Sequence, residues 1–308
     1  MRHDAGPAFT DITSAIGRTP VVDLSALSLS ADVRLAGKCE WQNPGGSVKD
    51  RAARAMIRDA EERGALRPGT TILDATSGNT GIAYAMIGAA RGYAIELCLP
   101  RNASLERQAA LRAYGARLVL TDPLEGTDGA ILEARRRAAA EPDRYCYLDQ
   151  YANPANWRAH YATTGVEILD QTEGLVSHFV VGLGTTGTMM GVGRRLKEND
   201  ATIRLVGVQP DGPLHGLEGL KHLASAMVPA IYDPALVDEH RFVRTEDAYA
   251  MCRRAARELG LWVGVSSGAA LTAAAALAGE LPRGLIVVLL ADGGARYAGE
   301  AFWAQETR

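Results

Sequence analysis

Short apolar runs alternate with longer segments of helical spacing along most of the chain. Seven runs predict strands: VRLAGK, TTILDA, AIELCLP, ARLVLTD, HFVVGL, IRLVGVQ and LIVVLLAD. Most are apolar almost continuously rather than at every second position, the pattern of strands covered on both faces of a parallel sheet. Between them, DRAARAMIRDAEERG, GIAYAMIGAARG, SLERQAALRAYG, DGAILEARRRAAAEP and TMMGVGRRLKEND have helical patterning. The alternation predicts an α/β fold of the open, doubly wound kind, with mostly parallel sheets. A polar break, DQYANPANW, marks the boundary expected between residues 1–150 and residues 151–308. In such folds ligands gather beyond the carboxyl ends of the strands. Three glycine-rich loops fall where that rule places a site.

Composition narrows the function classes. A chain of 308 residues with 47% hydrophobic content can bury the core of one large or two moderate domains. A net charge of −3 gives no field that would gather nucleic acid or an anionic membrane. The four cysteines lie far apart with no CxxC pair, which predicts buried free thiols in a reducing compartment and no metal site. The opening MRHDAGPAFT has no apolar core of a secretory signal, and no uncharged apolar run reaches membrane-spanning length. A soluble cytoplasmic protein is expected.

Of 33 basic residues only four are lysines, and one of them sits in NPGGSVKDR, residues 43–51. Ser47 and Asp50 have the spacing of a capping box with Asp in place of Glu, which puts Lys49 in the first turn of a helix. The positive end of the helix dipole shifts an amine there by about 0.3–1 kcal/mol, too little to neutralise it. Desolvation in a cleft could add several pKa units, and a neutral amine attacks carbonyls where arginine cannot. A solvated surface lysine fits the same residues. In ILDATSGNTG, Thr76, Ser77, Asn79 and Thr80 set hydroxyl and amide groups beside free backbone N–H groups. That describes either a receptor for a small carboxylate or an ordinary capped turn.

FVVGLGTTGTMMGVG reads strand, glycine loop, helix, the order that binds phosphate at a helix N-terminus. Gly182, Gly184 and Gly187 also spell GxGxxG and invite an NAD-dependent oxidoreductase. The next strand, however, ends in Gln209 and Pro210 where a ribose-binding acid belongs, with Asp211 just beyond, which counts against NAD. The lysine of a nucleotide-binding P-loop is absent as well, leaving a phosphate monoester or a plain tight turn. Finally, a strand-like LWVGV meets Ser266, Ser267 and Gly268 ahead of an alanine-rich helix.

Together, NPGGSVKDR, TSGNTG, QYANPANWRAHYATTGVEI, GTTGT and GVSSGAA resemble the fold-type II pyridoxal phosphate enzymes, in the cysteine synthase (O-acetylserine sulfhydrylase) and cystathionine β-synthase group. The resemblance extends from IGRTP to ADGGARY. It implies two doubly wound domains with the cofactor, pyridoxal 5'-phosphate (PLP), between them, and the first ~40 residues crossing onto the second domain. It implies that Lys49 forms a Schiff base with the cofactor aldehyde, and that Gly184, Thr185, Thr186, Gly187 and Thr188 hold its phosphate. Asn79 would bond the ring hydroxyl and Ser266 would face the ring nitrogen. Thr76, Ser77, Gly78, Thr80 and Gln150 would hold the substrate carboxylate. Where the family loop usually has glycine this chain has Thr186, which would be strained if that position needs a positive φ.

The implied activity is β-replacement on an activated L-serine, O-acetylserine or O-phosphoserine. It would proceed through an aminoacrylate and add sulfide or a related sulfur nucleophile to give L-cysteine or an analogue. The variable segment GVQPDGPLHGLEGLKHLASAMVPAIYD resembles the B-type and O-phosphoserine-using branch. Lys221 falls where some relatives carry arginine, a cation suited to a phosphate or thiosulfate; it could equally cap a surface loop. His215 and His222 flank it without metal spacing. The resemblance also implies a homodimer. A cystathionine β-synthase-like or serine/threonine dehydratase-like lyase is the nearest alternative, although NPGGSVKDR is not the usual dehydratase motif and the chain leaves no room for a haem-binding or regulatory extension. A cofactor-binding protein without turnover is disfavoured, because lysine, carboxylate loop and phosphate loop are all present.

Overall fold

A computed structural model describes residues 10–28, 30–76 and 78–304. In chain order the regular elements are β1 (Val21–Asp23), β2 (Val33–Cys39), α1 (Lys49–Glu62), β3 (Thr71–Ala75), α2 (Asn79–Arg91), β4 (Ala94–Pro100), α3 (Leu105–Ala113), β5 (Arg117–Thr121), α4 (Gly126–Ala140), β6 (Tyr145–Tyr147), α5 (Pro154–Ala162), α6 (Thr164–Gln171), β7 (His178–Gly182), α7 (Gly187–Asn199), β8 (Arg204–Pro210), β9 (Glu239–Val243), α8 (Thr245–Leu259), α9 (Val265–Glu280) and β10 (Gly284–Leu290). The strands form two sheets. One has the order β5-β4-β3-β6 and is parallel throughout. The other has the order β1-β2-β10-β7-β8-β9, with only the β1–β2 pair antiparallel. β1 and β2 therefore belong to the sheet otherwise built from residues 178–290.

The continuous apolar runs lie where both-face burial requires them. Ile72 and Leu73 in β3, Val180 and Val181 in β7, and Val287 and Val288 in β10 are almost wholly buried. Helix α1 instead has one covered stripe, Ala52, Ala53, Met56, Ile57 and Ala60, and each large apolar side chain so buried contributes about 1.5–3 kcal/mol. All seven runs named above contain strands. The strand-like LWVGV does not form one: Val263 makes an isolated bridge to Gly293, and Val265 already begins α9. Its hydrophobicity serves instead to bury Val263 and Val265 in the core of the larger sheet. β1, β6 and β9 were not visible as runs; the first two are only three residues long, and β9, an edge strand, alternates half-buried Glu239 and Arg241 with exposed His240 and Phe242.

An ion cluster joins the N-terminal segment, β2, α1 and α6. Arg51 Nε and Nη2 donate to the two oxygens of Glu40 at 2.7 and 2.8 Å, and Nη1 and Nη2 donate to those of Glu167 at 2.6 and 2.8 Å. Lys38 Nζ donates to Glu167 Oε2, Gln171 Oε1 and the Thr19 carbonyl at 2.6–2.7 Å. Arg51 and Lys38 are fully buried and the cluster is closed, the condition under which buried charge is tolerated. It fixes the start of α1, two residues from Lys49.

Candidate active site

The loops after β2, β3, β7 and β10 all open at carboxyl strand ends and converge. Lys49 is the first residue of α1, with its N–H on Ser47 Oγ at 3.2 Å. Neither half of the expected capping box is made: the N-cap is Val48 rather than Ser47, and the Asp50 N–H donates to the Ser47 carbonyl at 3.3 Å instead of to its hydroxyl. Asp50 instead accepts the Gly45 N–H at 2.5 Å, because the chain turns back at Gly46, φ +79°, and brings Gly45 over the helix start. The preceding segment is stitched to the end of β10: Val48 N–H donates to the Ala291 carbonyl at 2.9 Å, and Ser47 bridges to Asp292. Lys49 Nζ has no hydrogen bond or ion pair to any described residue. Desolvation holds its amine below the ordinary lysine range, opposed by the Asp292 carboxylate.

The loop Gly184–Thr188 leads from β7 into α7. Thr186 has φ +66°, so the left-handed conformation considered above is real and is occupied by a β-branched residue. The loop is closely fitted: a Cβ on Gly184 would strike the Gly219 carbonyl, and one on Gly187 the Asn156 amide. Asn156 Nδ2 donates to the Gln150 carbonyl at 2.7 Å and to Thr185 Oγ1 at 3.3 Å. Thr188 Oγ1 is 3.4 Å from His160 Nε2, and burial pushes the His160 imidazole well below its usual range, leaving it neutral. The buried Thr186 hydroxyl has no partner among the described residues. A helix N-terminus, a glycine cradle and a hydroxyl without an acceptor are the donor set of a phosphate monoester. A free amine close by suits an aldehyde. These residues fit pyridoxal phosphate.

Ser266 is buried near the start of α9, and its hydroxyl bonds no described residue. Lys49, Asn79, Gly184, Thr185, Thr186, Thr188 and Ser266 all line one small cavity. It shares Lys49, Asn79, Gly184 and Thr185 with a wider cleft lined also by Thr76, Gly78, Thr80, Gln150 and Lys221. Thr80 Oγ1 donates to Gln150 Oε1 at 2.7 Å, Gln150 Nε2 donates to the Ala75 carbonyl at 2.8 Å, and Thr76 Oγ1 accepts the Gly78 N–H at 3.2 Å. The boundary segment thus brings Gln150 beside a loop 70 residues earlier in the chain. Ser77 lies outside the described residues.

Asn79 is held at both ends. Its Nδ2 donates to Asp292 Oδ2 at 2.7 Å and its Oδ1 accepts from Arg296 at 2.5 Å. Tyr297 donates to the same Asp292 oxygen at 2.9 Å. Lys221 faces the cleft paired with Asp128 at 3.1 Å, above the Tyr151 ring. Arg107, on α3, faces it paired with Glu218. Asp292, Arg296, Asn156, Arg107 and Glu218 were not singled out from the sequence. Asn156 and the ADGGARY residues lay inside quoted motifs, but nothing in spacing alone aims their side chains at Lys49. Gln209, at the end of β8, is occupied as well: its Oε1 accepts the Leu223 N–H at 2.9 Å and its amide nitrogen is 3.0 Å from His240. The nearest acid along the chain, Asp211, lies just beyond the strand and is exposed.

A mostly parallel two-sheet fold with a free lysine facing a phosphate cradle defines a class, and the chain belongs to the family of pyridoxal-phosphate dependent enzymes, matched over residues 12–292. It is 50% identical over 302 residues to a cysteine synthase of Aquifex aeolicus, covering 96% of this chain and 92% of that one. It is 42% identical over 295 residues to cysteine synthase B of Salmonella typhimurium, covering 96% of each. Among solved structures, a cysteine synthase from Entamoeba histolytica superposes with a TM-score of 0.92 at 33% identity, covering 100% of this chain and 94% of that one.

Proposed function

We propose that this enzyme replaces the β-substituent of an activated L-serine with sulfide or a related sulfur nucleophile, giving L-cysteine or an analogue. The observation that carries the reading is the partnerless, desolvated amine of Lys49 in a cavity shared by the phosphate cradle and the Thr76–Thr80 loop. When bound, pyridoxal phosphate supplies an electron sink conjugated to the substrate's amino nitrogen. Gly184, Thr185, Thr186, Gly187 and Thr188 hold its phosphate; Asn79 and Ser266 orient its ring. Ser266 is a neutral hydroxyl, so it does not stabilise a proton on the ring nitrogen. That weakens the sink and favours loss of the β-substituent over transfer of the amino group. Thr76, Ser77, Gly78, Thr80 and Gln150 bind the α-carboxylate, which sets the Cα–H bond toward Lys49. Lys49 Nζ, neutral when it acts, takes the Cα proton. Lys221 offers a cation to a phosphate leaving group or an anionic sulfur donor.

The reading extends to a homodimer in the cytoplasm; light scattering should return twice the mass of the chain. Purified protein should be yellow, and borohydride should fix the cofactor on the Lys49 peptide alone. With sulfide, O-acetylserine or O-phosphoserine should give cysteine, and Lys49→Ala should not. A colourless wild-type protein, or cysteine formation that survives Lys49→Ala, would refute the reading.

A further inference from the structure

Arg107 and Arg51 are both buried arginines, and they are wired differently. Arg51 spends its nitrogens on two carboxylates and Thr19, every nitrogen with a partner. Arg107 is 7% exposed, yet among described residues its only bonded partner is Glu218, and its Nε is buried with no acceptor. Its guanidinium lies over the Tyr297 ring, 5.4 Å from the centroid, and lines the cleft that holds Lys49, Thr80 and Gln150. The Glu218 side chain is 47% exposed. It sits in the segment after β8, next to Gly219 at φ +86°. A buried cation in a substrate cleft is thus matched by a carboxylate that reaches it from the solvent side and stays half exposed.

We propose that Arg107 is a specificity-determining anion receptor of this cleft, that Glu218 occupies it as a built-in competitor, and that a small oxyanion displaces Glu218. The proposal rests on the β-replacement reading for its place in the reaction. The planar fork of a guanidinium matches a carboxylate, a phosphate or a sulfur oxyanion, so the Glu218 carboxylate stands where an oxyanion would bind. The displaced carboxylate loses little, because it is already half in water. The buried cation is never left without a counter-charge, the outcome that would be costly. The oxyanion has two possible sources: the leaving group of the amino-acid substrate, or the sulfur donor. Lys221, at the same cleft but paired with Asp128 of α4, supplies a second positive charge without the same competitor.

The test uses holoenzyme, its phosphate loop filled, titrated calorimetrically with sulfate as an unreactive oxyanion. Glu218→Gln should tighten sulfate binding roughly five- to tenfold, and Arg107→Gln should abolish it. Adding Glu218→Gln to Arg107→Gln should change nothing further. Two kinetic arms identify the source. If kcat/KM of Glu218→Gln rises for O-phosphoserine but not O-acetylserine, both with sulfide, the receptor serves the leaving group. If it rises for thiosulfate but not sulfide, both with O-acetylserine, it serves the donor. A rise in neither arm, equal sulfate affinity in wild type and Glu218→Gln, or undiminished affinity in Arg107→Gln overturns the proposal. Glu218 is half exposed, so its variant decides the matter even if Arg107→Gln does not fold. The titration needs no turnover, so it still reports on Arg107 if no cysteine forms from any substrate, the result that would defeat the β-replacement reading.

Discussion

Replacing Glu167 with glutamine removes one anion from the closed cluster around Arg51 while keeping its shape. Burial alone would raise the Glu167 carboxyl; the hydrogen bonds and charges of Arg51 and Lys38 outweigh that and bring it from 4.5 down to about 2. A fall of that size corresponds to about 3 kcal/mol of stabilisation of the ionised form, at ~1.4 kcal/mol per pKa unit. A buried pair stripped of one partner independently suggests about 3–5 kcal/mol. Because the folded pKa is depressed, the contribution is fully present above pH 4.5 and is lost as pH falls toward 2. Urea denaturation followed by circular dichroism should therefore show Glu167→Gln about 3 kcal/mol less stable than wild type at pH 7, the gap narrowing below pH 4.5. A loss under about 1 kcal/mol at pH 7 would place the substitution with ordinary surface changes and refute the reasoning, as would a gap independent of pH between 5 and 2.

Thr186→Gly should relieve left-handed strain and stabilise the cofactor-free protein by about 1 kcal/mol in thermal melts, while PLP binding, followed by absorbance, weakens with loss of the hydroxyl. Gly184→Ala forces a methyl against the Gly219 backbone carbonyl and should weaken PLP binding by at least about tenfold, and thermal melts of the cofactor-free protein should show a destabilisation of about 1–3 kcal/mol as well. The lowered Lys49 pKa has its own signature. Recapture of pyridoxal phosphate by cofactor-free protein should reach its maximal rate well below pH 10.4, the ordinary midpoint of a lysine; a rate still rising past that midpoint would count against desolvation.

The fold was readable because parallel strands buried on both faces leave apolar runs that few other structures require, and all seven such runs contain strands. LWVGV misleads for the same reason: burial at a helix start leaves the same local signal as a strand. The site was readable where chemistry is carried by backbone loops, since glycine, threonine and lysine in fixed order constrain a turn whatever packs on it. It was unreadable where a side chain reaches across the fold. Asn79 is fixed by Asp292 and Arg296, more than 200 residues away, and no local pattern reports such a contact. Arg107 likewise meets Glu218 only through tertiary approach, and its helix reads as an ordinary solvated amphipathic segment. The four lysines divide accordingly. Lys38 is a compact charge meeting three acceptors, Lys197 and Lys221 pair with aspartates, and Lys49 alone keeps its amine unspent.

The pairing of β2 with β10 sets an order of assembly. Residues 33–39 lie along residues 284–290, so the second strand made must wait for the last. At about 5–20 residues per second on a ribosome, that interval is roughly 10–50 s. The four-stranded sheet, complete by Tyr147, has no such delay and can collapse while synthesis continues. Lys49 therefore emerges early but acquires the wall at Ala291 and Asp292 late, and a nascent chain exposes its most reactive amine before the enclosure that makes it selective exists.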